Sequence, residues 1–288
     1  LFSMLSVEVD SQLVSNNRSR NEYFLSDYIY KIGNYGVDFI STGFLGEGYT
    51  DVINGDFTTI DGTSKEKAFR KSYGTEKDGQ MIYEFCVIPT VGFLGNNDPL
   101  PKDSELKLSF DRTHSGIPLL AQDHKEIQLE IKDCFAVTEY ISSPPLRTYF
   151  ESIDYQPLRY EFEDCEVYTK SIPQGETNIR FDNLRGGNVP RYMFIGLIET
   201  AALNGDFTKS SSRFSNHAVT QMNISLNGNS VNGYPLKIDN SNLVIPFTKF
   251  IDCTDSLHVH ASRTLKPNEF EFNWLWSHCF ESEETSRG

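Results

Sequence analysis

Three groups of side chains have the residue types that catalysis or ligand binding would need. His258-Val259-His260 sets two imidazoles on one face of an extended strand, which is half of a metal site. No carboxylate or thiol stands beside them at a tight ligand spacing, so they read as surface or interface histidines. Glu161, Glu163 and Glu166 around Asp164 offer paired carboxylates, the requirement of general acid–base chemistry. Glu161 and Glu163 alternate with Tyr160 and Phe162, however, which is the pattern of a solvated strand face. Gly43-Phe44-Leu45-Gly46-Glu47-Gly48 is glycine-rich but lacks the Lys-Ser/Thr of a phosphate loop. No helical pattern follows it, and Glu47 would repel a phosphate.

Nucleophilic chemistry has no better support. No Gly-x-Ser-x-Gly turn accompanies the 6 histidines. The 5 cysteines are Cys86, Cys134, Cys165, Cys253 and Cys279, with no CxxC and no even framework. They read as reduced, mostly buried thiols in a reducing compartment, not as a zinc site or disulfide scaffold. Asn17-Arg18-Ser19 and Asn223-Ile224-Ser225 fit the glycosylation pattern, which matters only in a secreted chain. The sequence assigns no catalytic, no cofactor-binding and no metal-ligating residue, and the chain is expected not to be an enzyme.

The elements that would position any site are mostly strands. At 288 residues the chain is long enough for two domains with cores of their own. With 21 Phe and 14 Tyr against 4 Met and 2 Trp, the apolar residues favour a pleated, half-buried surface. No apolar run approaches the ~18–20 residues that span a bilayer. A net charge of −14 argues against a direct nucleic-acid surface, which needs clustered Lys and Arg. The chain opens at Leu1 inside an already patterned segment, as a fragment would.

In order along the chain, Leu5, Val7 and Val9 alternate as a half-buried strand, and Ser15-Asn16-Asn17 offers helix caps. Leu25, Tyr28, Ile29 and Ile32 have helical spacing, stopped at Gly33. Asn34 to Gly79 reads as one long surface excursion rich in Gly, Asp, Thr and Ser. Strands follow at Met81 to Ile88, at Leu106, Leu108 and Phe110, and from Ile127, Leu129 and Ile131 through Phe135 and Val137 towards Ile141. Ser142-Ser143-Pro144-Pro145 breaks the pattern and sets a boundary, giving domains 1–145 and 146–288. Leu146 to Tyr155 reads as a helical linker, Tyr160 and Phe162 restart the alternation, and Pro173-Gln174-Gly175 turns the chain.

The second half uses the same grammar. The central stretch Asn183 to Phe207 holds Met193 to Ile198, an apolar run bounded by turn residues and read as a strand buried on both faces. Met222, Ile224 and Leu226 lead into a hairpin at Asn227-Gly228, continued by Leu236 and Ile238. Leu243 to Phe247 reads as a strand and Lys249 to Asp252 as a short helix. Phe270, Phe272, Trp274 and Trp276 form the aromatic face of a last strand, and Glu281 to Gly288 is a polar tail. Period-2 positions throughout are expected to be buried. The fold class is all-β, two β-sandwiches in tandem with a few short helices in the connections.

The order of segments resembles the double jelly-roll major capsid proteins of Polinton (Maverick) elements and adintoviruses. LFSMLSVEVDSQLVS, LPKDSELKLSFDR, YISSPPLRTYFE, RYEFEDCEVYTKSIPQG, GGNVPRYMFIGLIETAALNGDF and FSNHAVTQMNISLNGNSVNGYPL carry the likeness in succession across most of residues 1 to 250. The resemblance implies two antiparallel jelly rolls in one chain and three chains in a pseudo-hexagonal capsomer. It also implies strands of the first roll ahead of Leu1 and closing strands beyond Phe270 to Trp276. Partners would be the chain itself as a homotrimer, and neighbouring capsomers or a penton protein. Neither nucleic acid nor membrane insertion is implied. Its place would be the virion capsid, and the host nucleus or cytoplasm during assembly. The Asn34 to Gly79 excursion is the natural place for lateral contacts.

A second reading is a β-sandwich carbohydrate-binding or adhesion module, which the aromatic strand at Phe270 to Trp276 and the two sequons would suit. The odd cysteine count without a framework tells against the secretion this needs. A β-rich hydrolase is a third, weakened by the missing nucleophile turn.

Overall fold

The computed structural model of the chain describes residues 2–16, 25–29, 74–83, 92–95, 99–114, 129–145, 148, 159–162, 165–182, 189–209, 211, 214–231, 233–238, 243–257 and 274–280. Among them the chain is mainly β, with short strands in small sheets and few helices. In chain order the strands are β1 (Phe2–Val9), β2 (Gln12–Asn16), β3 (Gly74–Lys77), β4 (Gln80–Tyr83), β5 (Leu106–Arg112) and β6 (Tyr192–Gly196). They continue as β7 (Gln221–Met222), β8 (Ser225–Leu226), β9 (Asn229–Ser230), β10 (Leu236–Lys237) and β11 (Leu275–Cys279). Helices α1 (Thr200–Leu203) and α2 (Val244–Leu257) lie between β6 and β11 in sequence.

The chain packs as two units. One draws on Leu1–Asp27, Pro89–Ser115 and Glu126–Tyr168, the other on Tyr28–Ile88, Gly116–Lys125 and Thr169–Gly288. The first unit thus runs on past Pro144-Pro145, where residues 144, 145 and 148 are helical and the Thr148 hydroxyl donates to the Pro144 carbonyl at 3.0 Å.

In the first unit β1 is the middle strand of an antiparallel sheet ordered β2-β1-β5. Its alternation works as the sequence requires: Ser3, Leu5 and Val7 are buried while their neighbours are half-buried. Leu5 and Val7 form a core with Phe93, against which Leu108, Phe110, Tyr160 and Phe162 pack. Phe93 meets Tyr160 and Phe162 edge-on, at centroid distances of 5.7 and 5.8 Å, a geometry the ring quadrupoles favour. The Tyr160 hydroxyl stays satisfied by donating to the Pro99 carbonyl at 3.1 Å. On the outer face Lys107 and Glu8 are direct cross-strand partners and form an ion pair at 2.9 Å.

A tight turn, not a helix cap, follows β1. Asp10 and Ser11 take φ of 49° and 64°, the two positive angles of a type I′ hairpin, so the chain reverses into β2. Ser15 and Asn16, expected as caps, are ladder partners of Val7 and Ser6. The helical spacing beyond them is realised over 25–29, where Leu25 and Tyr28 are buried; Ile32 lies outside the described residues.

One expectation fails outright. The alternating run Ile131 to Ile141 belongs to no strand and is exposed, Phe135 at 77% and Val137 at 86%. A period-2 pattern specifies which face would be apolar; burial also needs a sheet beside that face, and no ladder takes up this run. Leu106 is likewise 37% exposed; among the described residues β5 is an outer strand of its sheet.

The second unit contains the hairpin β3–β4, turning at Asp78-Gly79. The excursion expected from Asn34 to Gly79 therefore ends in a strand; residues 34–73 lie outside the described ones. Pro173-Gln174-Gly175 turns the chain as expected, the Glu176 amide donating to the Pro173 carbonyl at 3.3 Å with Gly175 at φ 87°. Asn227-Gly228 makes the expected hairpin between β8 and β9, and Leu236 of β10 pairs with Met222 of β7.

The best-packed part of this unit is the pair β6–β11 with α2 beside it. Trp274, Leu275, Trp276, Ser277 and His278 are all buried, so both faces of β11 are covered and the expected one-sided aromatic strand is corrected. Phe270 and Phe272 lie outside the described residues. β6, expected to be buried on both faces, is a half-buried strand. Leu243 to Phe247, expected as a strand, instead enters α2. Pro246 sits in its first turn, where no intrahelical amide bond is lost, and the Phe247 amide donates to the Leu243 carbonyl at 3.0 Å.

Candidate functional site

The densest grouping of reactive side chains surrounds β11. Ser277, on this strand, faces α2, since its ladder partner Phe194 meets Phe250 of the helix edge-on at 6.3 Å. Cys253 lies one helical turn after Lys249, close to Ser277. The Tyr234 hydroxyl donates to the Ser277 carbonyl at 3.4 Å. Its ring takes the Lys249 ammonium at 4.9 Å on one side and the His278 imidazole edge-on at 5.4 Å.

Burial governs the protonation of this group. It pushes the Cys253 thiol up to about 12, and the nearby Ser277 side chain offsets that only partly. Burial also pushes the Tyr234 phenol up to about 12, assisted by Cys253. A thiol nucleophile needs the opposite shift, towards thiolate at neutral pH. The arrangement is a clasp in which the Tyr234 hydroxyl ties the β10 approach to β11, while α2 contributes Lys249 over the Tyr234 ring and packs Phe250 and Cys253. It was missed in the sequence because WLWSHCF reads as aromatic alternation. The signal was there in Ser277 and His278, polar residues inside an otherwise apolar strand.

The residues singled out by sequence fall elsewhere. Glu161 is exposed and pairs with Arg159 at 3.4 Å, and Glu166 accepts from the Tyr168 hydroxyl at 2.6 Å, as solvated carboxylates do. Glu163, Asp164, Gly43 to Gly48, Asn17, Cys86, His258 and His260 lie outside the described residues. Among the described residues no group of three His, Cys, Asp or Glu is placed to hold a metal. No helix among them is long and apolar enough to cross a membrane. Cys134 is exposed, Cys165 and Cys279 half-buried and Cys253 buried, so the thiols are less uniformly buried than their spacing suggested. Asn223 is exposed and its side-chain oxygen accepts from the Ser230 hydroxyl at 2.6 Å. Trp274 and Trp276, the aromatic platform a carbohydrate-binding module would present, are each only 2% exposed.

An uncharacterized protein of Caenorhabditis elegans is 23% identical to this chain over 285 residues, covering 96% of the chain and 63% of that protein. The chain thus spans less than two thirds of that relative's length. No family model and no solved structure matches the chain.

Proposed function

We propose that the chain is a structural virion protein, a subunit of a trimeric pseudo-hexagonal capsomer of a Polinton-like virus or virus-like mobile element. In this reading the chain holds two jelly rolls in the sequence domains 1–145 and 146–288, and no residue is catalytic. The observation that carries it is the ordered succession of capsid-like segments. FSMLSVEV corresponds to β1, LKLSF to β5, YMFIG to β6, and the Asn227-Gly228 turn to the β8–β9 hairpin. The mainly-β character supports it, as does a relative encoded by an animal that aligns with nearly the whole chain, since such elements are integrated in animal genomes. The buried Cys253 thiol, held protonated by its burial, is no ready nucleophile, which fits this reading. The partners are two further copies, then neighbouring capsomers or a penton protein, in the virion capsid.

The test is light scattering with negative-stain electron microscopy of the purified protein. Trimers with a pseudo-hexagonal outline are expected. A stable monomer at high concentration and high salt would overturn the reading. Sequencing the flanking DNA is a second check: a protein-primed polymerase, a packaging ATPase or a cysteine protease gene is expected nearby.

A further inference from the structure

Two cysteines share the interface where α2 covers the β6–β11 pair. Directly opposed residues of an antiparallel pair turn their side chains to one face, so Phe194 and its ladder partner Ser277 share a face of the sheet. Cys279, two positions further and opposite Tyr192, belongs to the same face. That face is the one under α2, because the Phe194 ring meets Phe250 of the helix edge-on at 6.3 Å. Phe250 and Cys253 are three positions apart, hence on one side of the helix, and are 0% and 1% exposed. Cys253 therefore sits over a strip of β11 that carries Ser277 and then Cys279, about 6.7 Å apart along the strand. Both act on its thiol: the nearby Ser277 side chain eases loss of the proton, and a charge on Cys279 opposes it. Among the described residues these are the cysteines of the second unit, while Cys134 and Cys165 belong to the first.

We infer that Cys253 and Cys279 are a reversible redox pair whose disulfide pins α2 to β11. A helix residue seated against Ser277 has Cys279 as its next neighbour on that face, and a disulfide spans Cα separations of about 4.4–6.8 Å. Access orders the steps. Cys279 is half-buried and stands at the end of the ladder, so a peroxide reaches it before the buried Cys253. Its sulfur attacks the peroxide: an S–O bond forms as the O–O bond breaks, the sulfur gives up two electrons, and hydroxide leaves as water with the Cys279 proton. The Cys253 sulfur then displaces the remaining oxygen, which leaves as a second water with the Cys253 proton as the S–S bond forms. Two thiols and one hydrogen peroxide thus give one disulfide and two waters. Burial holds Cys253 protonated, so it resolves the oxidised Cys279 and does not start the reaction. The pair stays as two thiols in a reducing compartment and closes outside one. On the capsomer reading that passage is the exit from the host cell, but the bond does not depend on that reading.

The test treats the reduced, folded full-length protein with hydrogen peroxide, then denatures it in N-ethylmaleimide to block the remaining thiols. Trypsin cuts after Arg263, between the two cysteines, so the bond joins peptide 250–263 to peptide 264–287. Mass spectrometry is expected to find that joined pair in protein running as a single chain on a non-reducing denaturing gel, and dithiothreitol should release it. The bond closes a loop of 26 positions, 253 to 279, so the oxidised protein should melt at least about 5 °C above the reduced one. Cys279→Ser should abolish both the joined peptides and the rise, with an unchanged circular-dichroism spectrum. If that variant does not fold, brief N-ethylmaleimide labelling of the native wild-type protein decides, and Cys279 is expected to react before Cys253. A bond from either residue to Cys86, Cys134 or Cys165, a bond between copies, or Cys279 carried on to sulfinic acid while Cys253 stays a thiol overturns the pair. An unchanged melting temperature with the bond formed overturns the pinning of α2, and Cys253 reacting first overturns the order of steps.

Discussion

The ring of Phe214 occupies the space that a side chain on Gly196 would fill. A Cβ there would stand 2.8 Å from Cε1 of Phe214 and 2.9 Å from Cδ2 of Leu275, closer than such atoms approach. The Phe214 backbone is held as well, its carbonyl accepting from the Trp274 amide at 3.1 Å. Gly196 is also the ladder partner of Leu275, so the missing side chain lets β6 and β11 pair while Phe214 covers the end of that pair. Gly196→Ala therefore overpacks the tightest part of the second unit. A loss of about 1–3 kcal/mol is expected in urea unfolding, with Gly196→Val worse. An unchanged midpoint would mean that Phe214 does not lie over Gly196.

Alkaline pH should weaken the clasp around β11. Tyr234 and Cys253 each have a folded-state value of about 12, above their ordinary values of 10.0 and 9.0. The folded state thus holds these protons more tightly than the unfolded state. Stability is fully present below the unfolded values and is lost as pH rises through the folded ones. The window runs from about pH 9 to 12, with a fall of roughly 2–3 kcal/mol for Tyr234 and about 4 kcal/mol for Cys253. Tyr234→Phe should flatten the upper part of that fall at a cost near 1 kcal/mol at pH 7 for the hydroxyl bond. Chemical unfolding measured across that pH range in both proteins is the check.

What was legible in the sequence was local. Asn227-Gly228 needs only its own two residues to favour positive φ, and Pro173-Gln174-Gly175 is equally self-contained. The alternation of β1 was read correctly because β5 lies beside it. The same pattern at Ile131 to Ile141 was misread, since a pattern cannot say whether a neighbouring strand is present. Leu243 to Phe247 was misread because β-branched Val244 and Ile245 suggest a strand, while Pro246 in the opening turn and the packing of Phe250 and Cys253 decide for a helix. The Tyr234–Ser277 clasp joins residues far apart in sequence, and no spacing rule reaches that distance.

The β1–β2 turn offers a stabilising change. Ser11 has a φ of 64°, where its Cβ crowds the following carbonyl. Asp10 at 49° is better placed, because its carboxylate accepts from the Glu105 amide at 2.7 Å and its own amide donates back to the Glu105 carbonyl at 2.9 Å. Ser11→Gly should therefore raise stability by about 0.5–1 kcal/mol, seen as a higher melting temperature. Asp10→Ala should lower it by about 1 kcal/mol by leaving the Glu105 amide without its carboxylate. If Ser11→Gly lowers the melting temperature, the turn does not have this geometry.

Association between copies should strengthen with salt. Each chain carries a net charge of −14, so copies that meet repel one another before any apolar contact forms. The screening length is ~30 Å at 0.01 M ionic strength and ~8 Å at 0.15 M, so the repulsion reaches across much of a capsomer in the first case and little of it in the second. Apolar contacts between copies are not weakened by salt, and Phe135 and Val137 are exposed apolar side chains that could supply them. Light scattering over this range should show the trimer fraction rising with ionic strength, and Phe135→Ser should shift the curve to higher protein concentration at every salt level. A trimer that dissociates as salt is added would mean that ion pairs, not apolar side chains, hold the copies together.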